Sequence, residues 1–477
     1  MGSRKVTSSE HLDWQGRHVT VAGLGVSGIP AAKVLHARGA HVTVVNDGDD
    51  ARAREQAAEL EALGITVRLG DGATLPEGTE LVVTAPGWKP DKPLFTAARA
   101  AGLEIWGDVE LAWRLRGPDA APWLAITGTN GKTTTTQMLA SILRAAGLRT
   151  AAVGNIGVSL LDAVLGDEQY DVLAVELSSY QLHWAPSLRA HSAAVLNLAP
   201  DHLDWHGSME AYAADKGRVY EGNRVACVYN VADKATEDLV READVEEGCR
   251  AIGFTLGTPG PSQLGVVEGI LVDRAFVEDR HKNAQELAEV SDVNPPAPHN
   301  IANALAAAAL ARAFGVPARA VRDGLRDFTP DAHRISHVAD VDSVAYVDDS
   351  KATNTHAAEA SLAAYESIVW IAGGLAKGAT FDELVAKSAK RLRGVVLIGQ
   401  DRALIREALA RHAPEVPVVD LDRTDTGAML AAVQEASRLA VAGDTVLLAP
   451  ACASMDMFAN YNKRGDAFAE AVRELGS

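Results

Sequence analysis

The residues best suited to chemistry are a lysine and a threonine that follow two glycines. In Trp123-Leu124-Ala125-Ile126-Thr127-Gly128-Thr129-Asn130-Gly131-Lys132-Thr133-Thr134, a short apolar run leads through Gly128 and Gly131 into Lys132-Thr133. The residues after it keep apolar positions at helical spacing through Leu143. A strand, a glycine-bearing turn and a helix in that order make a cradle for an anion. Backbone N–H groups of the Gly128-Thr129-Asn130-Gly131 turn and the helix N-terminus face a phosphate. Lys132 would reach the β- and γ-phosphates of a nucleotide, and the Thr133 hydroxyl would take Mg²⁺. A unit charge about 4 Å from a phosphate oxygen is worth about 4 kcal/mol at an effective dielectric of ~20. That is about three decades in rate if it is felt mainly in the transition state. Ile126 stands where the commonest form of the motif has glycine, five residues before Gly131. A plain glycine-rich surface turn is the alternative, and the flanking strand and helix weigh against it.

Other reactive side chains sit where strands end. Val172 to Glu176 is an apolar strand closing on a carboxylate, and in an open parallel sheet ligands bind at the carboxyl ends of strands. Glu176 is therefore placed to hold Mg²⁺ against phosphates, although such a glutamate alone is often only solvated. The strand Ala193 to Leu198 runs into Asp201-His202-Leu203-Asp204-Trp205-His206. His202 and His206 are four apart, so zinc is conceivable, but no third soft ligand has a matching spacing. The more economical reading puts Asp201 and His202 beside a second Mg²⁺ or a reacting carboxylate. Lys216, in a helix expected over Met209 to Tyr220, reads by itself as a surface lysine. Asn300 and Asn303 fall in the N-terminal turn of a helix that follows a proline-rich break, suited to a base, to a phosphate or merely to capping. Further on, Asp348 to Asn354, Gly373 to Gly378 and Pro450 to Asp456 each follow a strand, and together they predict one polar rim.

The elements that must position these groups read as α/β throughout. His18 to Ala22, Gly23-Leu24-Gly25-Val26-Ser27-Gly28 and a helix stopped at Gly39 form a β-α-β unit with His41 to Val45. Its G-x-G-x-x-G turn suits a nicotinamide dinucleotide, with Asp47 toward a ribose, but equally any diphosphate at a helix N-terminus. Three domains are expected: 1–107, 108–330 and 331–477, with the first and third Rossmann-like and the second a P-loop ATPase type. Residues 224–293 look strand-rich and carry no motif. A chain of 477 residues has room for three cores, and its formal charge of −18 argues against non-specific nucleic-acid binding. Three scattered cysteines point to a reducing cytosol rather than a disulfide frame. No apolar leader segment and no apolar run near 18 residues are present, so neither secretion nor membrane insertion is expected.

Taken in order, these pieces resemble the Mur ligases over nearly the whole chain. The residues that carry the resemblance are Gly23–Gly28, Thr127–Thr134, Gly154–Gly157, Glu176–Leu182, Asp201–His206, His299–Ala307, His333–Arg334, Asp348–Asn354 and Ala449–Asp456. The second of these is shared with folylpolyglutamate synthase. The N-terminal G-x-G-x-x-G turn together with Ser350-Lys351-Ala352-Thr353-Asn354 and Pro450-Ala451-Cys452-Ala453-Ser454 points to the branch that joins D-glutamate to UDP-N-acetylmuramoyl-L-alanine. The resemblance implies a UDP-sugar domain, an ATP domain and an amino-acid domain, in a cytoplasmic monomer. It implies ATP and two Mg²⁺ ions, with an acyl phosphate formed on the substrate carboxylate and attacked by the D-glutamate amine.

By motif position it assigns the phosphates to Lys132 and Thr133 with Thr134 beside them, and Mg²⁺ to Thr133, Glu176 and His202. Lys216 would be carbamylated, as a carboxylate-like ligand of the second ion. Asn155, Asp201 and His202 would lie near the sugar-peptide, and Leu24 and Ser27 in the turn for the uracil nucleotide. Asn300, Asn303, Arg334 and Asp349 would contact ADP, and Thr353, Lys377, Ser454 and Tyr461 would face D-glutamate. Two departures stand out: Asn46 and Gly48 where the family often has aspartate and arginine, and Tyr461 where phenylalanine is common. An NAD-dependent oxidoreductase would leave the phosphate cradle unexplained, and a P-loop motor would leave the flanking domains unexplained. Another Mur ligase or a folylpolyglutamate synthase-like ligase is the nearer alternative.

Overall fold

The computed structural model describes residues 13–330, 333–423, 425 and 427–475. The N-terminal stretch 1–12 and the expected boundary at Asp331 lie outside the described residues. The chain divides into two compact units, Met1–Val293 with Ile301–Phe328, and Asn294–Asn300 with Thr329–Ser477. The first holds two sheets and the second holds one.

The first sheet is all parallel, from β1 His18–Ala22, β2 His41–Asn46, β3 Thr66–Leu69, β4 Leu81–Thr84 and β5 Glu104–Gly107, in the order β3-β2-β1-β4-β5. The order reverses at β1, so the Gly23–Gly28 turn leaves the sheet at its switch point. Gly28 begins the next helix, and a Cβ there would fall 1.9 Å from the Gly23 carbonyl oxygen. Only glycine lets helix and strand approach that closely.

The second sheet has nine strands: β6 Trp123–Thr127, β7 Ala152–Gly154, β8 Leu173–Glu176, β9 Ser192–Val195, β10 Ala226–Asn230, β11 Arg250–Phe254, β12 Gln263–Val267, β13 Ile270–Asp273 and β14 Gln285–Glu289. Their order is β14-β13-β12-β11-β10-β9-β6-β8-β7. β7 to β12 run parallel to β6, and β13 and β14 close the edge as antiparallel strands. β6, β8 and β9 are buried along their whole length, which is why they read as unbroken apolar runs. One apolar core joins the two sheets of this unit, with Val21, Leu35 and Trp106 in the same cluster as Trp123, Val175 and Val195.

Three local expectations needed correction. Residues 224–293 are not only strands, because Lys234–Glu242 is a helix capped by the Asp233 side chain. Arginines pin the loop that follows β13: Arg274 donates to the carbonyls of Pro259 and His281 at 3.1 Å, and Arg312 pairs with buried Asp273 at 2.9 Å. The expected helix over Met209 to Tyr220 is α-helical only to Gly217 and ends in a 3₁₀ turn. The helix that carries Asn300 and Asn303 starts at Pro298, tolerated in the first turn because its missing N–H is not needed there, so Asn303 falls in the second turn.

The third sheet comprises β15 Ser336–Val341, β16 Val344–Asp348, β17 Ile368–Gly373, β18 Leu392–Ile398, β19 Val418–Asp420 and β20 Thr445–Leu448, in the order β15-β16-β20-β17-β18-β19. All but β15 are parallel. β16, β20 and β17 are neighbours, so the three polar loops that follow them share one edge.

The helix after the phosphate loop, Lys132–Ala145, is held by the helix Ala318–Asp327 at a single close crossing. A Cβ on Gly324 would lie 2.4 Å from the Ile142 Cα, and the Gly324 carbonyl accepts from Ser141 Oγ at 2.8 Å. Backbone cannot yield as a flexible side chain does. Gly324→Ala is therefore expected to destabilise the protein by about 2 kcal/mol or more, checked by the midpoint of thermal or urea unfolding.

Candidate functional site

The loop after β6 is built to hold its backbone open. Gly128 has φ 149° and Gly131 has φ 85° at the N-cap of the following helix. A Cβ on Gly131 would fall 2.4 Å from Asn303 Oδ1, so Asn303 lies directly against the turn. The loop between these glycines is clamped on both sides. Asn197 accepts from the Asn130 N–H at 2.8 Å and donates back to the Asn130 carbonyl at 3.0 Å. Thr129 Oγ1 bonds the Ala199 backbone and lies 3.0 Å from the Tyr212 hydroxyl. Lys132 folds its ammonium over the turn and donates to the carbonyls of Gly128 and Thr129, both at 2.9 Å. Thr133 and Thr134 follow in the first turn of the helix, with Thr134 buried.

Lys216 comes to the same loop from below. It is 2% exposed, and its Nζ donates to the Gly128 carbonyl at 2.8 Å and lies 3.4 Å from Thr127 Oγ1. Burial, with Lys132 close by, holds its amine well below the usual lysine value, against the opposing pull of Asp201, Glu176 and Asp215. Two ammonium groups on one carbonyl would repel, and burial disfavours the charge on Lys216. The sequence reading of Lys216 as a surface lysine is thus overturned. A lysine held neutral is a nucleophilic amine.

Glu176 ends β8 at 2% exposed. Its Oε1 accepts from Asn155 Nδ2 at 2.8 Å, while its Oε2 is buried with no hydrogen-bond partner among the described residues. A buried carboxylate oxygen left open is suited to a cation. Gly154 lets Asn155 reach it: a Cβ there would lie 2.3 Å from the Glu176 carbonyl oxygen. Asp201 and His202 follow on the other side, with His202 Nε2 3.5 Å from Asp201 Oδ2 and φ 54° at His202. Partial burial, with Lys132 and Lys216 nearby, lowers the His202 pKa against the opposing pull of Asp201.

His206 does not join it. Its Nδ1 bonds Asp215 at 2.9 Å and its Nε2 meets Ser179 Oγ at 2.9 Å, so both nitrogens are spent and the zinc reading loses its second ligand. Asp215 in turn holds His183 at 2.9 Å. Burial opposes its charge, but the bonds from His183 and His206 prevail and keep its carboxyl below the ordinary value. Asp215, Tyr212 and Asn197 were not singled out from the sequence. Helical spacing offered a signal for Tyr212, four residues before Lys216 on the same face, with the amine 4.8 Å from its ring.

In the first sheet, Leu24 gives its N–H to Asn46 Oδ1 at 3.2 Å, and Ser27 donates to Asp108 Oδ2 at 2.9 Å. Asn46 therefore ties the turn. Asp47 does not stand free for a ribose, because it pairs with Lys92 at 2.5 Å. Asp108 also accepts from Gln181 at 3.4 Å, and burial pushes its carboxyl up.

The second unit gathers its own rim. Ala451 N–H bonds the Ala352 carbonyl at 2.9 Å, and the Leu375 and Ala453 backbones bond each other at 2.9 Å. Thr353, Ser454 and Tyr461 border these loops, and Lys377 stands exposed at φ 49°. Beneath lies Arg464, fully buried, which donates to Ser350 Oγ at 3.0 Å, the Ser350 carbonyl at 2.8 Å and the Cys452 carbonyl at 3.1 Å. It cross-links two of the three loops and was not foreseen, since an arginine in an amphipathic helix ordinarily reads as surface. Lys351 lies 3.9 Å from the Tyr461 ring. His333 bonds Asp348 at 2.6 Å. Asn300 is buried and donates to the Pro295 carbonyl at 3.3 Å. Asp349 bonds Ser361, and burial pushes its carboxyl up to about 6 even with Arg334 nearby.

With this geometry in place, known proteins can be compared. Residues 126–311 match the Mur ligase middle domain and residues 333–452 the Mur ligase glutamate ligase domain, together more than half of the chain. The chain belongs to the Mur ligase family. Within it, the chain is 89% identical over 98% of its length to the UDP-N-acetylmuramoylalanine–D-glutamate ligase of Streptomyces avermitilis, covering 100% of that protein. It is 88% identical to the same enzyme of Streptomyces coelicolor, with 98% and 99% covered, and 59% identical to that of Thermobifida fusca, with 97% and 100% covered. Residues 18–84 also match the pyridine nucleotide-disulphide oxidoreductase family, which reflects the shared β-α-β turn over a short part of the chain. Among solved structures, Thermotoga maritima MurC shares the fold at TM-score 0.56 and 18% identity, covering 96% of this chain and 99% of that one. Thermotoga maritima MurF in complex with ADP does so at 0.55 and 16%, covering 97% and 95%.

Asp349 gives the second unit a pH signature. Its carboxyl binds a proton more tightly folded than unfolded, where the ordinary value is 3.8, so stability falls as pH rises from about 4 to about 6. The fall amounts to about 3 kcal/mol. Asp349→Asn is expected to flatten this arm of the unfolding midpoint measured against pH, with the wild type as reference.

Proposed function

We propose that the chain is an ATP-dependent ligase that joins D-glutamate to UDP-N-acetylmuramoyl-L-alanine in peptidoglycan synthesis. The observation that carries the reading is the pair of lysines on one glycine loop, Lys132 and a buried Lys216, both bonded to the Gly128 carbonyl. A simple nucleotide-binding loop needs only the first. The high identity to D-glutamate ligases over nearly the full chain supports the same substrates. In this reading residues 1–107 hold the UDP-sugar, with Leu24 and Ser27 in its turn. Residues 108–330 hold ATP and 331–477 the amino acid, in a cytoplasmic monomer.

The chemistry follows from what each group can do. Phosphoryl transfer asks the protein mainly for positioning and neutralisation of charge. The N–H groups of the turn from Gly128 through Gly131 receive the phosphates, and Lys132 exchanges its bonds to the loop carbonyls for the γ-phosphate. The L-alanyl carboxylate of the sugar-peptide attacks the γ-phosphorus, the bond to the β–γ bridging oxygen breaks, and ADP leaves an acyl phosphate. The amine of D-glutamate then adds to the acyl carbon, and the tetrahedral intermediate expels phosphate and loses a proton to give the amide.

Thr133, Glu176, His202 and a carbamylated Lys216 fit two Mg²⁺ ions by their donor chemistry: a hydroxyl, an open buried carboxylate oxygen, an imidazole and an amine able to add CO₂. Bound there, the ions would supply positive charge against the phosphate oxygens. Asn155 orients Glu176 and, with Asp201 and His202, faces the sugar-peptide. Asn300, Asn303, Arg334 and Asp349 serve ADP. Thr353, Ser454, Tyr461 and Lys377 receive D-glutamate, with Lys377 or Arg334 paired to one of its carboxylates.

Phosphate release from ATP and Mg²⁺ is expected only when UDP-N-acetylmuramoyl-L-alanine and D-glutamate are both present, and far more slowly with L-glutamate. Release with either substrate alone, or as fast with L-glutamate, would sink the reading. Lys132→Ala should abolish this release while UDP-sugar binding, followed by calorimetry, persists. Lys216→Ala should lose most activity, by a factor of about 10² or more, and regain part of it with a small carboxylic acid. A ¹³C carbamate signal from ¹³CO₂ should be present in wild type and missing in the variant.

A further inference from the structure

Two sulfurs meet away from the phosphate loop. Cys227 lies in β10, and Cys249 stands just before β11, the neighbouring parallel strand. Their Sγ atoms are 3.9 Å apart across 22 positions of sequence. With the Asn223 amide turned to donate to the Val219 carbonyl at 3.1 Å and accept from Ala193 N–H at 3.2 Å, the Cys227 thiol faces Cys249. Cys227 is 2% exposed, whereas Cys249 is only half-buried at the edge of the same core. One thiol is sheltered and its partner is reachable, the arrangement of a reactive cysteine with a resolving one. The contact between them, with burial, pushes the Cys227 thiol up, and the same contact draws Cys249 down.

We propose that Cys227 and Cys249 form an oxidisable dithiol that a peroxide closes into a reversible disulfide staple. The Cys249 thiolate attacks one peroxide oxygen: an S–O bond forms, the O–O bond breaks, and hydroxide leaves to become water. The Cys227 sulfur then attacks the Cys249 sulfenic acid. An S–S bond forms, the S–O bond breaks, and the oxygen departs as a second water with the Cys227 proton. Two thiols lose two electrons and hydrogen peroxide gains them. A small-molecule dithiol reverses the step by exchange.

The staple would close the segment that runs from β10 through the helix Lys234–Glu242 to β11. That segment reaches toward the nucleotide loop. Asn230 Nδ2 donates to the Leu196 carbonyl at 3.0 Å, and Asp233 Oδ2 accepts from Leu198 N–H at 2.7 Å, on either side of the Asn197 that clamps Asn130. Cross-linking removes freedom from the unfolded chain more than from the folded one. Oxidation is therefore a stabilising modification that joins two inner strands of the sheet at their N-terminal ends.

The test treats the full chain with a small excess of hydrogen peroxide under native conditions. The expected product is 2 Da lighter, with a Cys227–Cys249 peptide in a non-reducing digest, a midpoint of unfolding raised by about 3–8 °C, and full reversal by dithiothreitol. Cys249→Ser should show none of these changes, and Cys227→Ser should instead accumulate a sulfenic acid that a dimedone probe traps. A Cys249 oxidised only to sulfinic acid in wild type, or a disulfide that involves Cys452, would overturn the proposal. So would an equal shift of the midpoint in Cys249→Ser.

Discussion

One buried amine governs the architecture of the nucleotide loop. Lys216 reaches the Gly128 carbonyl at 2.8 Å from inside the unit, where a full positive charge has little water to stabilise it. Lys132 donates to the same carbonyl at 2.9 Å. Two charges cannot share that place at low cost, and burial lowers the proton affinity of the more deeply buried lysine. The rest of the loop is arranged around this constraint. Asn197 fixes Asn130, Tyr212 fixes Thr129, and Asp215 is screened by two histidines rather than neutralising Lys216 directly.

The same economy of polar groups explains Glu176. Its strand is buried from end to end, so a carboxylate there needs partners, and Asn155 supplies only one. The remaining oxygen is buried without a partner among the described residues, and the charge of Glu176 bears on the ionisation of Lys216. A hard cation among these groups would relieve both the open carboxylate and the strain of neighbouring charges. In the second unit, Arg464 plays the corresponding organising part by bonding backbone oxygens of two loops from beneath. It sets the shape of the rim that Thr353 and Ser454 border.

Much of this could be read in the residues. The expected strands β1, β2, β6 and β8 form within a residue or two of their predicted ends, because buried parallel strands must be apolar and their ends must turn. The three rim loops come together as expected, since β16, β20 and β17 are neighbours in the sheet. The helix Lys234–Glu242 was missed because its apolar positions are few and one face is solvated. The pairing of Asp47 with Lys92 was not foreseen, because the two are distant in sequence and joined only by the fold.

The sequence by itself determined the phosphate loop, the order of sheets and the family, because glycine turns and apolar strands are local patterns with few alternative uses. What Lys216, Asp215, His206 and Arg464 do was decided by tertiary structure alone. Their bonding depends on burial and on partners up to 114 residues away, and neither quantity is written in the spacing of a helix.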